Sequence, residues 1–246
     1  SSGSPTGASP ALSAALLGLM LLIPCWLMAA ERPITDPAQA ETRVLEPGAM
    51  DGLQALISRL ADKRVIFIGE SHDRYEDHLN QLGVIQGLYA EGRDLAIGME
   101  FFQQPFQRYL DAYVAGEIDE AEMLRKTEYF SRWRYDYRLY RPILRFARDQ
   151  GIPLIALNIE RELTEQVGAG GIGSLSAEDR ARIPAEIDRS NDEYRKGLKL
   201  IYDMHPQRDG NFEHFLDAQL LWDESMAERA SDYLRAHPDK TLVVLA

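Results

Sequence analysis

Five consecutive residues, Gly69-Glu70-Ser71-His72-Asp73, bring two carboxylates and an imidazole within one turn of chain. An imidazole titrates near neutrality and an adjacent carboxylate orients it, so the group suits a general base with its positioning partner, or a small metal site built on His72 and Glu70. Ser71 and Asp73 suit equally well the simpler role of helix caps, with His72 a hydrogen-bonded loop histidine. Glu100 stands between Met99 and Phe101-Phe102 at the end of an apolar run. An unpaired charge there is costly, so this carboxylate requires a partner, either His72 or an arginine. Asn158 and Glu160 end a third apolar run and are candidates for the same rim. His78 with Asp77 would extend a metal set, but the helical pattern around it places it in solvent.

These side chains need a scaffold that brings distant segments together. Four short apolar runs read as buried strands: Val65 to Ile68, Leu95 to Phe101, Leu154 to Leu157 and Thr241 to Leu245. The first is apolar enough to be covered on both faces. Leu53, Leu56, Ile57 and Leu60 repeat at helical spacing before it, and Tyr75, Leu79, Leu82, Ile85 and Tyr89 do so after it. Asp73 and Glu76 have the spacing of a capping box for that second helix. Residues 117–149 read as helical, and 160–236 hold no strand-like run, so they form a mainly helical subdomain inserted before the last strand. Its final helix carries Phe215, Gln219, Trp222, Met226 and Tyr233 along one face, leaving Asp223 and Glu224 free to support the rim. The expected fold is α/β, a parallel sheet flanked by helices, whose ligand site lies beyond the carboxyl ends of the strands. Such a sheet does not end on a bare interior strand, so further residues are expected past Ala246.

Residues 125–148 are a basic, aromatic island in an acidic chain: Arg125, Lys126, Arg132, Arg134, Arg138, Arg141, Arg145 and Arg148 alternate with Tyr129, Phe130, Trp133, Tyr135, Tyr137 and Tyr140. This composition suits an anionic ligand with a flat apolar body, haem among them, and suits as well a helix with a charged outer face. Tyr202 and His205 lie three apart on one expected helix, where an iron ligand and its hydrogen-bonding neighbour would share a face. Gly168, Gly170 and Gly173 spell a dinucleotide fingerprint but follow a helical segment, so they read as a flexible loop. A G-x-S-x-G elbow, an HExxH helix and a P-loop lysine are absent from the sequence.

Of 246 residues, 27 are Lys or Arg and 39 are Asp or Glu, a net charge of −12 that disfavours nucleic acid as a partner. No charged residue occurs in the first thirty positions, and 11–30 hold 17 apolar residues in 20, the pattern of a signal peptide or membrane anchor. Pro33, Pro37 and Pro47 mark 31–47 as a linker, leaving 48–246 as the folded domain. Cys25 is the single cysteine, so the domain has no thiol for a disulfide or a zinc-thiolate site. Leu22-Ile23-Pro24-Cys25 resembles a bacterial lipobox, and lipidation there would tether the domain to a membrane face.

Taken in order, GESHD (69–73), GMEFF (98–102), the run from Trp133 through Tyr140-Arg141-Pro142, Phe146-Ala147, Ile152-Pro153 and Ala156-Leu157-Asn158, and AQLLWDESMA (218–227) resemble the ChaN-like haem-binding uptake proteins, relatives of the Tiki, TraB and erythromycin esterase proteins. The resemblance covers about 64–246. It implies an α/β core with a helical subdomain, export to the periplasm or lipid anchoring at the bacterial envelope, and haem held between two protomers through a tyrosine. In the enzymatic relatives the positions matching His72 and Glu100 do hydrolytic work. The leading expectation is therefore an exported haem-binding protein of iron uptake, with Tyr202 and His205 as ligand candidates. The alternative is a metal- or His-dependent esterase or peptidase using Glu70, His72 and Glu100.

Overall fold

The computed structural model describes residues 52–204 and 210–246. The leader, the linker and His205 lie outside the described residues. The strands β1 (Val65–Ile68), β2 (Leu95–Gln103), β3 (Leu154–Asn158) and β4 (Thr241–Leu245) form one sheet in the order β1-β4-β2-β3, every pair parallel. Parallel neighbours require crossovers, and helices supply them. The helices are α1 (Leu53–Leu60), α2 (Tyr75–Ala90), α3 (Gln107–Val114), α4 (Glu120–Lys126), α5 (Tyr129–Arg132), α6 (Tyr137–Gln150), α7 (Arg161–Gly170), α8 (Ala177–Arg180), α9 (Asp192–Asp203) and α10 (Phe212–Ala236). The fold is α/β, as the alternation of runs implies. Among the described residues, 160–236 contain helices and turns but no strand.

The two faces of the sheet are covered differently. On one, Ile66, Ile97, Met99, Leu154, Ala156, Val243 and Leu245 pack into the main core with Ile85 and Leu88 of α2 and Tyr140, Ile143 and Leu144 of α6. On the other, Ala96, Ile155, Leu157, Leu242 and Val244 meet Met226, Ala230, Tyr233 and Leu234 of α10. Gly98 also points to this second face, where a Cβ would come within 2.8 Å of Leu157. Glycine at this position lets the leucine close the layer.

The first strand departs from the expectation of burial on both faces. Val65 and Phe67 are 37% and 72% exposed. β1 is an edge strand, and α10 reaches over β4, β2 and β3 without covering it. The apolar stripe of α2 also shifts. Tyr75, Leu79 and Tyr89 are exposed, while His78, Gln81, Val84, Ile85 and Leu88 are buried. The capping box does not form. Arg74 precedes α2 without a side-chain cap bond, and Asp77 instead accepts the Ser71 amide at 2.8 Å. Gly168 and Gly170 belong to the end of α7 rather than to a loop.

β2 carries the irregularity that matters for the site. Met99 pairs with Ala156 and Gln103 with Asn158, so β2 spends two more residues than β3 over this stretch. A bulge of this kind re-aims side chains. Both Phe101 and Phe102 enter the main core, and Glu100 is released from strict alternation. The Asn158 side chain donates to the Glu100 carbonyl at 2.9 Å, satisfying a backbone oxygen beside the shifted ladder.

Candidate functional site

Glu70 leaves the carboxyl end of β1 and is the centre of a buried polar network. Its side chain is 2% exposed. One oxygen, Oε1, accepts from His72 Nδ1 at 2.8 Å and from the Tyr140 hydroxyl at 2.7 Å. The other, Oε2, lies 2.9 Å from His78 Nδ1. Burial alone would raise the pKa of this carboxyl, but the donors outweigh it and hold it down at about 2. An ionised carboxylate only accepts, so Nδ1 of His72 bears a proton and the tautomer is set.

His78 sits on the first turn of α2 with both ring nitrogens facing acceptors. Nδ1 meets Glu70 and the Gln81 side-chain oxygen, and Nε2 meets the His72 carbonyl at 3.2 Å. A ring with acceptors on both sides is favoured as imidazolium. Although burial opposes the charge, the contacts with Glu70 raise the pKa of His78. Gln81 completes the arrangement by donating to the Ile68 carbonyl at the end of β1 at 3.2 Å. The expectation of a solvated His78 is thus overturned: a polar residue occupies a core position of α2 because Glu70 and the strand end supply its partners.

Around this centre lies the rim. The His72 ring packs against Trp133 at 4.7 Å and Tyr135 at 5.0 Å between centroids, and its side chain is 12% exposed. Trp133 donates to the Tyr140 hydroxyl at 3.2 Å, which joins the aromatic wall to Glu70. Glu100 at the β2 bulge is half-buried. Its pKa is pushed up to about 7 by burial, with the charges of Glu70 and Asp223 adding and that of His72 opposing. His72, Glu70 and Asp223 of α10 thus act by charge on the space around Glu100. Asp223 borders this space: solvent reaches the residue, yet burial of its carboxyl raises its pKa, opposed by a 2.6 Å hydrogen bond from the Tyr194 hydroxyl of α9. Glu224 accepts the Asp188 amide at 3.3 Å, and Glu160 is ion-paired with Arg182.

Among the described residues, no three or more His, Cys, Asp or Glu side chains are grouped to hold a metal ion. The divalent metal expected at His72 and Glu70 is not supported, because both oxygens of Glu70 face protein donors. The arrangement does provide an oriented imidazole beside a carboxyl poised between its two protonation states.

The basic island resolves into a charged outer face over a buried inner one. Tyr129, Trp133, Tyr137 and Tyr140 are buried, whereas Arg138 pairs with Asp136, and Arg141 and Arg145 both pair with Glu120. These four rings are turned into the core and are not available to stack on a flat ligand, whereas Phe130 is 64% exposed and Tyr135 is half-buried beside His72.

Tyr202 lies far along α9 from the rim contact of Tyr194. Its ring packs on Phe212 at 5.5 Å and Phe215 at 5.4 Å, and its hydroxyl donates to the Gly210 carbonyl. Arg195, Lys199 and Tyr202 share one face of α9 by helical spacing. Both cations lie over the Phe212 ring, at 5.2 and 5.5 Å, and each holds an ion pair, with Glu213 and Asp203 respectively. Leu200 and Met204, on the opposite side, are 66% and 72% exposed.

A family model described as haem-binding uptake, Tiki superfamily, ChaN matches residues 56–246. The chain belongs to this family. Its membership agrees with the ordered motifs from GESHD to AQLLWDESMA. ChaN of Campylobacter jejuni, a structure with cofacially bound haem, superposes with a TM-score of 0.58 at 16% identity, covering 78% of this chain and 73% of that one. That likeness establishes the shared fold. An erythromycin esterase in its open conformation gives a TM-score of 0.44 at 16% identity, covering 78% of this chain and 62% of the esterase. Protein RETICULATA-RELATED 5, chloroplastic, of Arabidopsis thaliana is 28% identical over 129 residues, which is 50% of this chain and 17% of that protein. The chain thus spans less than a fifth of the length of this curated relative. Among the described residues, no helix is long and apolar enough to cross a membrane.

Proposed function

We propose that this ChaN-family domain binds haem on the face formed by α9 and α10, with the Tyr202 oxygen as iron ligand. The observation that carries the reading, within a family described by haem-binding uptake, is the set on one helical face: a surface phenol packed on two phenylalanine rings, with Lys199 one turn and Arg195 two turns before it. These residues fit the group. The rings offer apolar contact to a porphyrin, and the two cations, whose exposed ion pairs exchange at little cost, can take its carboxylates. Bound haem would supply an iron centre that the Tyr202 oxygen would hold. Tyr202 releases its hydrogen bond to the Gly210 carbonyl in order to present that oxygen.

The reading extends to a second copy of the chain against the other face of the haem, by analogy with the cofacial haem binding of ChaN from Campylobacter jejuni. It also includes export, with residues 1–30 as signal or membrane tether and Cys25 as the lipidation candidate. His205, three residues beyond Tyr202, is retained as the neighbouring hydrogen-bond partner.

Hemin titration of the purified domain tests the proposal. The expected result is saturable binding with the visible spectrum of a tyrosinate-ligated ferric haem, and loss of that spectrum in Tyr202→Phe. Identical spectra and affinity in Tyr202→Phe would remove Tyr202 from the site, and absence of saturable binding by the parent protein would reject haem as the ligand. Mass photometry with and without hemin reports the second copy.

A further inference from the structure

α9 is held to α10 by Arg195, Lys199 and Tyr202 against the Phe212 and Phe215 rings, and by further attachments. Leu198 packs with Leu216 and Leu220, Arg195 pairs with Glu213, and the Tyr194 hydroxyl donates to Asp223 Oδ2 at 2.6 Å. The Tyr194 bond differs from the others because its acceptor also belongs to the strand-end rim. Gln104, just past β2, ties α10 to the sheet at this level by donating to the Leu157 carbonyl at 2.9 Å and the Ser225 carbonyl at 3.5 Å. The acceptor is thereby held against the carboxyl ends of the strands while its donor rides on α9.

We propose that the Tyr194–Asp223 hydrogen bond is a proton-sensitive latch through which the carboxylates of the strand-end rim set how firmly α9, the helix bearing Tyr202, is held. The last clause rests on the haem reading above, and the latch itself does not.

From β1 and its turn, Glu70 and His72 face Glu100; from α10, Asp223 faces it; and Tyr135 closes the side between them. Asp223 in turn is faced by Tyr194 of α9 and by Glu224 on its own helix. Glu70 is committed to the ionised state by His72, His78 and Tyr140, so protons entering this space are shared between Glu100 and Asp223. An ionised Asp223 accepts a charge-assisted hydrogen bond from Tyr194, about twice as strong as the neutral bond left after protonation. Glu100 titrates at about 7, and burial raises Asp223 from its ordinary carboxylate range. The latch is closed while Asp223 is ionised and loosens as falling pH protonates it. Tyr202 lies eight residues beyond Tyr194 on one continuous helix, about 12 Å along its axis, so loosening at one end is transmitted to the other.

Hydrogen exchange of the haem-free protein, read by mass spectrometry over α9 and corrected for intrinsic exchange rates, tests this without any ligand. The expected result is roughly three- to tenfold less protection of α9 at pH 5 than at pH 7.5, with helices α2 and α6 unchanged. Asp223→Asn and Tyr194→Phe, the latter removing a single hydroxyl, should each show the lower protection at both pH values. Protection of α9 that is independent of pH in the parent protein, or a full pH response surviving in Tyr194→Phe, would overturn the latch. Parallel hemin titrations separate the two ideas. A pH-dependent α9 in a protein that binds no hemin sinks the haem reading alone, and hemin binding through Tyr202 on a pH-independent α9 sinks the latch alone.

Discussion

The rim and the α9–α10 face present polar groups under opposite regimes. At the rim, Glu70 and His78 are removed from water and held by named partners on several elements. On α9, Arg195–Glu213 and Lys199–Asp203 are solvent-exposed pairs that contribute little to stability and rearrange easily. The contrast teaches that the more elaborate chemistry in this chain is the more structural. Glu70 holds the β1 turn, α2 and α6 together through His72, His78 and Tyr140, while the face proposed for the ligand is assembled from side chains that can yield to one.

The contrast can be broken most forcefully at Glu70. Glu70→Ala leaves His78 buried without the carboxylate that favours its charged form and Tyr140 without its acceptor, and urea unfolding at pH 7 should show a loss of about 3–5 kcal/mol. Since the folded pKa is about 2, below the ordinary value of 4.5, the stabilisation from Glu70 is present above 4.5 and is lost as pH falls toward 2. A loss under about 1 kcal/mol would show that the network is not the structural centre.

Glu100 sharpens the comparison with the opposite sign. Its pKa is raised from 4.5 to about 7, so its contribution is fully present below 4.5 and is lost as pH rises through about 7. Glu100→Gln should therefore be more stable than the parent at pH 8 by about 1–3 kcal/mol, with a smaller advantage at pH 5. Equal advantages at the two pH values would mean that Glu100 is not held in a charge-disfavouring space.

The smallest expected change is at Tyr202. Removing its hydroxyl breaks one surface hydrogen bond, and thermal unfolding of Tyr202→Phe should fall within about 1 kcal/mol of the parent while the hemin spectrum is lost. A large destabilisation would make this tyrosine part of the scaffold and erase the distinction between the two regions.

Much of the architecture was legible in the residues. The four apolar runs became the four strands, and the positions after them, Glu70, Glu100 and Asn158, came to one rim because parallel strands deliver their carboxyl ends to one side. His78 was not legible by hydrophobicity, since an apolar stripe drawn through Tyr75, Leu79 and Tyr89 turns the helix away from its buried face. The signal lay in the i, i+3, i+7 series His78, Gln81, Ile85, in which two polar residues occupy core positions. The basic island misled for a related reason. Composition records which residues are mixed but not which side of a helix each takes, and the structure turns Tyr129, Trp133, Tyr137 and Tyr140 inward and Arg138, Arg141 and Arg145 outward. The pairing of Asp223 with Tyr194 joins residues 29 positions apart in the chain, beyond the reach of any local pattern.

The amino-acid order by itself determined where strands and helices form, that the sheet is parallel, and which segments carry carboxylates and imidazoles to its edge, because side-chain periodicity and turn chemistry act over a few residues. The tertiary structure alone decided that β1 stands at the edge with Phe67 in solvent, that His78 is enclosed beside Glu70 with its pKa raised, and that burial raises the pKa of Glu100 and of Asp223. Those properties arise from desolvation and Coulomb interactions between groups that only folding brings together.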